Sequence, residues 1–317
     1  MAITVNNDNF VRAETDRMFA DIQGASGGVN RWHHLRAPTA IDEQTVIRMN
    51  RDTLYSMAVV DISQGATVTI PDAGDRYLSV RVVNQDHYIN KTFHDPGEHT
   101  ISVDEFDTPY VLLAARVLVD SADPDDIKRV NAIQDGFSLT AASDEPFAMP
   151  DYDETSFTAT REAVLEEGRQ SGGLKQTHGV FGTKAEVDPD RHRIGTAMGW
   201  GGLPEYEATY VGEEPNLPIG AYRITTKDVP VDAFWSITVY SKAGYFEENA
   251  RGAYSVNNIT GVSNEDGSLT VHLGGDENRP NHIPLPEGWN YIVRLYQPRP
   301  EVMDGTWTFP ALEPVND

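Results

Sequence analysis

The sequence predicts two antiparallel β-sandwich domains flanking a helical stretch. Short β-rich runs recur at regular spacing from Thr53, return after Leu203-Pro204, and nowhere alternate with helices as a parallel sheet would require. A β-rich sandwich is what such short strands with turn punctuation build.

The first element is a helix over Asn7 to Ile22, with polar cap candidates at Asn7 and Asp8, Val11, Met18, Phe19 and Ile22 near one side, and Gly24 as its stop. It reads as a docking helix. Five strands follow, at Thr53–Ile62, Ala66–Ile70, Tyr77–Val83, His99–Val103 and Tyr110–Val119, separated by turns such as Pro71-Asp72-Ala73-Gly74 and Asp95-Pro96-Gly97. Asp123-Pro124 opens a helix to Gln134, Thr155–Arg169 reads as a second, and Asp188-Pro189 starts a third toward Trp200. Loops at residues 143–153 and 171–186 separate them. The β pattern resumes in Tyr206–Val211, Tyr222–Thr226, Ala233–Ser241, Leu269–Leu273 and Trp289–Tyr296. The domains expected are residues 1–122, a helical connector at 123–204, and 205–317.

Composition excludes several classes. The 317 residues carry 25 Lys plus Arg against 49 Asp plus Glu, a net charge of −24, so no basic footprint exists for nucleic acid or an anionic membrane. With no cysteine there are no disulfides, thiolate metal sites or cysteine nucleophiles. The N-terminus lacks a basic n-region and an apolar h-region, and no stretch approaches a membrane span, so a soluble cytoplasmic protein is expected. The acids are 28 Asp and 21 Glu, and the bases 19 Arg and only 6 Lys. That Asp-rich, Lys-poor balance suits a salt-adapted organism, since dense carboxylates keep a surface hydrated while salt screens their repulsion.

Two segments carry a resemblance. Asn50-Arg51-Asp52-Thr53-Leu54-Tyr55-Ser56, leading into a strand that ends at Asp61, resembles the signature of domain of unknown function 1254. Ala233-Phe234-Trp235-Ser236-Ile237-Thr238-Val239-Tyr240, then Tyr254-Ser255, Asp266-Gly267-Ser268-Leu269, Arg294-Leu295-Tyr296 and Asp304-Gly305-Thr306-Trp307, resembles domain of unknown function 1214. The stretch Gly199-Trp200-Gly201-Gly202-Leu203-Pro204 is similar to what precedes the second domain in two-domain members. The resemblance implies a mainly β fold with a helical insert: an immunoglobulin-like β-sandwich, a small α-helical region and a jelly-roll β-sandwich. Asn281-His282-Ile283-Pro284 departs from the family, which has a tryptophan there.

Candidate site residues come from strand alternation. Extended chain from Asn50 would put Arg51, Thr53 and Tyr55 on one face and Asn50, Asp52 and Leu54 on the other. Tyr55 and Asp52 are the acid–base candidates, and Arg51 with Asp52 reads equally as a network at the strand start. Arg81 shares a face with Tyr77 and Val83, with surface ion pairing as its expected fate. On the Ala233 strand, Phe234, Ser236, Thr238 and Tyr240 oppose Trp235, Ile237 and Val239; on the last strand, Arg294 and Tyr296 oppose Trp289, Tyr291, Val293 and Leu295. The tryptophan face reads as core. Tyr240, Arg294 and Tyr296, with Asn50, Arg51 and Arg81 from the first half of the chain, are the candidates for binding an anionic ligand or sugar hydroxyls.

His87, His94 and His99 are weak metal candidates, because their spacing fits no compact metal motif. His33-His34 point apart in extended chain. Gly24-Ala25-Ser26-Gly27-Gly28 matches G-x-S-x-G but follows a helix, so helix-stop glycines explain it better than a nucleophile elbow. Asp151, Asp153, Asp188 and Asp190 read as helix N-caps. No cofactor motif is present. Two functions stand: a protein binding a small polar, anionic or carbohydrate-like ligand at the domain junction, or a hydrolase or lyase using Tyr, Asp and Arg. Self-association into a homo-oligomer is a further option.

Overall fold

The computed structural model describes residues 2–44, 46–172 and 177–315, so residues 173–176 of the expected loop at 171–186 lie outside the described residues. The chain divides into two compact units. The first comprises Met1–Arg36, Leu54–Leu118 and Lys128–Pro204, and the second Ala37–Thr53, Val119–Ile127 and Glu205–Asp317.

The first unit opens with helix α1 (Phe10–Ser26). It runs one turn beyond the expected stop, because Gly24 keeps helical geometry while Gly27, at φ 75°, takes the left-handed cap and donates to the Gln23 and Gly24 carbonyls. The strands β1 (His33–His34), β2 (Thr53–Asp61), β3 (Ala66–Ile70), β4 (Leu78–Asn84), β5 (Ile89–Phe93), β6 (Gly97–Ile101), a short helix α2 (Val103–Phe106) and β7 (Tyr110–Leu118) follow. Helix α3 (Pro124–Gln134), strand β8 (Ser138–Ala141) and helices α4 (Glu154–Gln170) and α5 (Pro189–Gly199) complete the run. One sheet has the order β1-β2-β7-β4-β5 and a second the order β6-β3-β8. Every residue of β4 is buried. A strand covered on both faces loses the polar alternation of a half-exposed one.

Helix α1 covers one face of the five-stranded sheet. Phe19 and Ile22 pack with Val59, Val83, Ile89, Leu112 and Ala114, and with Phe147, Val180 and Phe181 from the connecting segments. Beside that cluster, Phe10 and Ala13 of α1 meet Val164 of α4 and Ala197 of α5. Two of the four expected aspartate caps form: Asp153 accepts from the Ser156 N–H, and Asp188 from the Asp190 and Arg191 N–H groups, while Asp190 sits inside the first turn of α5 and Asp151 precedes α4 without capping it.

The second unit holds β9 (Ala208–Glu213), β10 (Tyr222–Thr226), β11 (Trp235–Tyr240), β12 (Ser255–Asn257), β13 (Leu269–Leu273), β14 (His282–Ile283), β15 (Asn290–Tyr296), helix α6 (Pro300–Met303) and β16 (Glu313–Pro314). These form two four-stranded sheets, β14-β13-β10-β16 and β12-β11-β15-β9. The core between them draws Tyr222, Ile224, Val271 and Leu273 from one sheet, and Trp235, Ile237, Val239, Tyr291, Val293 and Leu295 from the other, with Trp289 beside them. The tryptophan face is therefore core. Each such tryptophan removes about 150–250 Å² from water, on the order of 4–6 kcal/mol of transfer free energy.

Candidate functional site

The opposite face of β11 and β15 is polar yet also buried. Antiparallel register sets Arg294 opposite Ser236 and next to Thr238. Over this face lies the segment 48–52 of the same unit. Tyr240 donates its hydroxyl to the Met49 carbonyl at 2.7 Å, and Asn50 donates Nδ2 to the Tyr296 hydroxyl at 2.9 Å. Arg294 donates Nη2 to the Tyr240 hydroxyl at 2.6 Å and to the Arg48 carbonyl at 3.0 Å.

A second branch links the guanidinium to a carboxylate. Arg294 Nη1 donates to Thr238 Oγ1 at 2.8 Å, and Thr238 and Ser255 hydroxyls lie 3.1 Å apart. Ser255 donates to Asp52 Oδ1 at 2.7 Å, and Ser236 to Oδ2 at 2.6 Å. Because Ser255 spends its proton on Asp52, the Thr238 hydroxyl donates onward to Ser255. The result is an ion pair relayed through two hydroxyls, in which every proton points from Arg294 toward Asp52. Arg294 is 3% exposed and Asp52 2%, so each charge needs this compensation. Burial works to lower the Arg294 guanidinium, but Tyr240, Tyr296 and Asp52 outweigh it and hold the group above its ordinary value. Burial raises the Tyr240 phenol against the pull of Arg294. A phenol so held stays protonated.

Residues 50–52 do not extend the β2 strand. Asn50 Oδ1 accepts the Asp52 N–H at 2.8 Å, an Asx turn that replaces the strand alternation expected across 50–55. Within that turn Arg51 departs from its neighbours. Its guanidinium carbon lies 5.7 Å from the Phe246 ring centre and 5.1 Å from that of Tyr254, and Nη1 donates to the Thr39 carbonyl at 2.7 Å. Nε is buried with no hydrogen-bond partner, and among the described residues no carboxylate forms an ion pair with this group. Burial pushes its pKa below the ordinary value, yet an arginine stays charged. Arg51 is thus a partly desolvated cation between two aromatic walls.

The remaining candidates belong to the first unit. The Tyr55 ring lies 5.1 Å under the Arg116 guanidinium, and its carbonyl accepts from the Leu35 N–H. Arg81 is 5% exposed, so it lies in the interior and not on the surface where pairing is expected. Its terminal nitrogen would stand 2.8 Å from any Cβ at position 201, which with φ 72° requires Gly201. Asp86 binds Arg12 at 2.6 Å. The three histidines do not converge. His87 Nε2 accepts from the Gly201 N–H and Nδ1 lies 2.8 Å from Thr196, His94 Nδ1 lies 3.2 Å from the Leu78 carbonyl, and His99 Nε2 lies 2.9 Å from that of Asp95. Among the described residues no three His, Asp or Glu side chains group as metal ligands.

The family described as "Protein of unknown function (DUF1254)" matches residues 29–102, and that described as "Protein of unknown function (DUF1214)" matches 213–300. The chain is a DUF1254–DUF1214 protein. Its fold is similar over 98% of the chain to that of the VPA0106 protein from Vibrio parahaemolyticus, covering 98% of that chain, with a TM-score of 0.75 at 16% identity. A protein from Burkholderia cenocepacia is similar at a TM-score of 0.52 and 13% identity, over 96% of this chain and 85% of that one. At such identities the likeness speaks for fold alone. No curated protein sequence matches.

Within the DUF1254 match, Ala37–Thr53 belongs to the second compact unit, so the Asn50-Arg51-Asp52 part of the motif serves the DUF1214 sandwich. Sequence reasoning placed Asn50, Arg51, Arg81, Tyr240, Arg294 and Tyr296 as ligand-binding candidates; the second unit links Asn50 to Tyr296 and Tyr240 to Arg294 by hydrogen bonds, Arg51 turns aside to Phe246 and Tyr254, and Arg81 belongs to the first unit. It missed Phe246. The only available signal was Tyr245-Phe246 after Gly244 in a loop, which carries no strand periodicity.

Proposed function

We propose that this DUF1254–DUF1214 protein binds a small anionic or hydroxyl-rich ligand in its second unit, which we read as a jelly roll, with Arg51 as the anchor. The observation that carries this is the Arg51 guanidinium itself: a cation between Phe246 and Tyr254, without a carboxylate partner, in a chain of net charge −24. Elsewhere arginines of this chain meet carboxylates, as Arg48 does Glu214 and Arg193 does Glu167. A carboxylate ligand would supply the missing counter-charge through Nη2, and its body would lie against the rings. The Arg294 network holds the Arg51 turn in place through the Arg48 and Met49 carbonyls and Asp52.

Binding is favoured over acid–base catalysis by the state of Asp52. Both carboxylate oxygens accept serine hydroxyls in a side chain 2% exposed, which leaves no route to a substrate proton. A panel of small carboxylates and their neutral analogues, scored for thermal stabilisation and for product, tests the reading. Stabilisation by carboxylates without turnover is expected; turnover dependent on Tyr55 or Asp52 would replace it with the hydrolase or lyase. Residence in a cytoplasm of high salt is the accompanying proposal, and no nucleic-acid or membrane partner is expected for so acidic a surface.

A further inference from the structure

A cleft of about 520 Å³ opens between α1 and α4 in the first unit, in the size range of small-molecule sites. None of its lining residues belongs to a motif discussed above. Lining positions 154, 157, 158, 161 and 162 lie at the three- and four-residue spacing of one helix face. Ala13, Phe157, Tyr152 and Met149 give it an apolar floor, and the Met149 side chain is 46% exposed.

The polar wall is built around Glu14, a carboxylate 2% exposed. Arg17 holds both of its oxygens, through Nε at 3.2 Å and Nη2 at 2.8 Å, and lies 5.9 Å from the Phe157 ring centre. Arg161 reaches the same carboxylate only through Nε, at 3.4 Å. Its two terminal nitrogens donate to no group among the described residues. Arg17 is also paired with Asp21 at 3.3 Å, so Arg161, with its terminal nitrogens unengaged, is the cation left to face the apolar floor, while exposed Glu154 and Glu162 also line the cleft. That arrangement suits one negative charge and repels a polyanion.

We propose that this cleft binds a monocarboxylate with an apolar tail, the carboxylate on the terminal nitrogens of Arg161 and the tail on Phe157 and Met149. It is distinct from the Arg51 site. The test is calorimetric titration with octanoate, octanol and inorganic phosphate. With the Arg51 site removed by Arg51→Gln, octanoate is expected to saturate one site, and Arg161→Gln and Met149→Asp added to that protein each to weaken it about tenfold or more, the loss of one charged hydrogen bond or of the apolar contact. Octanol and phosphate should each bind at least about tenfold more weakly, since each lacks one half of the recognition. Both substituted side chains are partly exposed, so the variants should melt with their Arg51→Gln parent. Absence of saturable octanoate binding, equal affinity in Arg161→Gln and Met149→Asp, phosphate binding tighter than octanoate, or loss of octanoate binding in Arg51→Gln would each overturn the proposal.

Discussion

His87 shows how completely one side chain can be specified by its surroundings. It is fully buried; Thr196 donates its hydroxyl to the His192 carbonyl, so it accepts from His87 Nδ1–H, while Gly201 N–H occupies Nε2. Only the neutral ring fits. A second proton would face the Gly201 N–H, and burial, then His192 and Arg81, hold the His87 pKa well below its ordinary 6.5. His192, stacked 5.2 Å from it, is lowered by burial as well, against the pull of the Val180 and Asp86 carbonyls. The unfolded chain therefore takes up protons near pH 6.5 that the native state refuses, so this stability is complete above that pH and lost as pH falls toward the native values. The urea midpoint, followed in molar KCl to screen the carboxylates, should fall between pH 7.5 and 5, and fall less in His87→Gln. A flat wild-type profile over that interval would contradict it.

Elements depend on a few glycines whose roles differ by context. Glycine in a helix interior costs up to about 1 kcal/mol against alanine, and at Gly24 of α1, exposed with nothing within 4 Å of an added Cβ, Gly24→Ala should recover it. In α5 the same change should destabilise by about 1–3 kcal/mol, because a Cβ at Gly195 would run into Val180 and crowd the Phe181 ring. Paired chemical denaturation of the two variants reads this sign reversal directly. Strand periodicity made Tyr222–Thr226 and Leu269–Leu273 legible to the residue, because alternate side chains enter the core. The strand Ile89–Phe93 escaped, since Asn90, Lys91 and Thr92 offer little apolar alternation and its place comes from pairing with β4. The stretch 199–204 carries only a family resemblance, yet Trp200 stacks on His87 at 5.1 Å and a Cβ at Gly202 would strike Phe181. That packing is long-range and leaves no local signal. The same holds for the candidate site: alternation on β11 and β15 exposed Tyr240, Arg294 and Tyr296, whereas the Asx turn that aims Arg51 depends on an Asn50 side chain whose alternative was a strand.

At the scale of the whole chain, 49 acidic residues against 25 basic ones set up self-repulsion that compactness intensifies. Salt that shortens the Debye length to about 3 Å at 1 M removes it. Thermal midpoints should therefore rise with KCl toward molar concentrations, and a protein fully stable at low ionic strength would contradict salt adaptation. Within that field Arg51 stands out as a partly buried guanidinium between two aromatic rings with no carboxylate ion pair among the described residues, which makes it the test of the functional reading. Calorimetric titration with glucuronate and benzoate, against glucose and benzyl alcohol, compares wild type with Arg51→Gln. The account predicts saturable binding of a carboxylate to the wild type, weakened about tenfold or more in Arg51→Gln by loss of a charge-assisted contact. Equal binding by the two proteins, or preference for the neutral analogues, would contradict it.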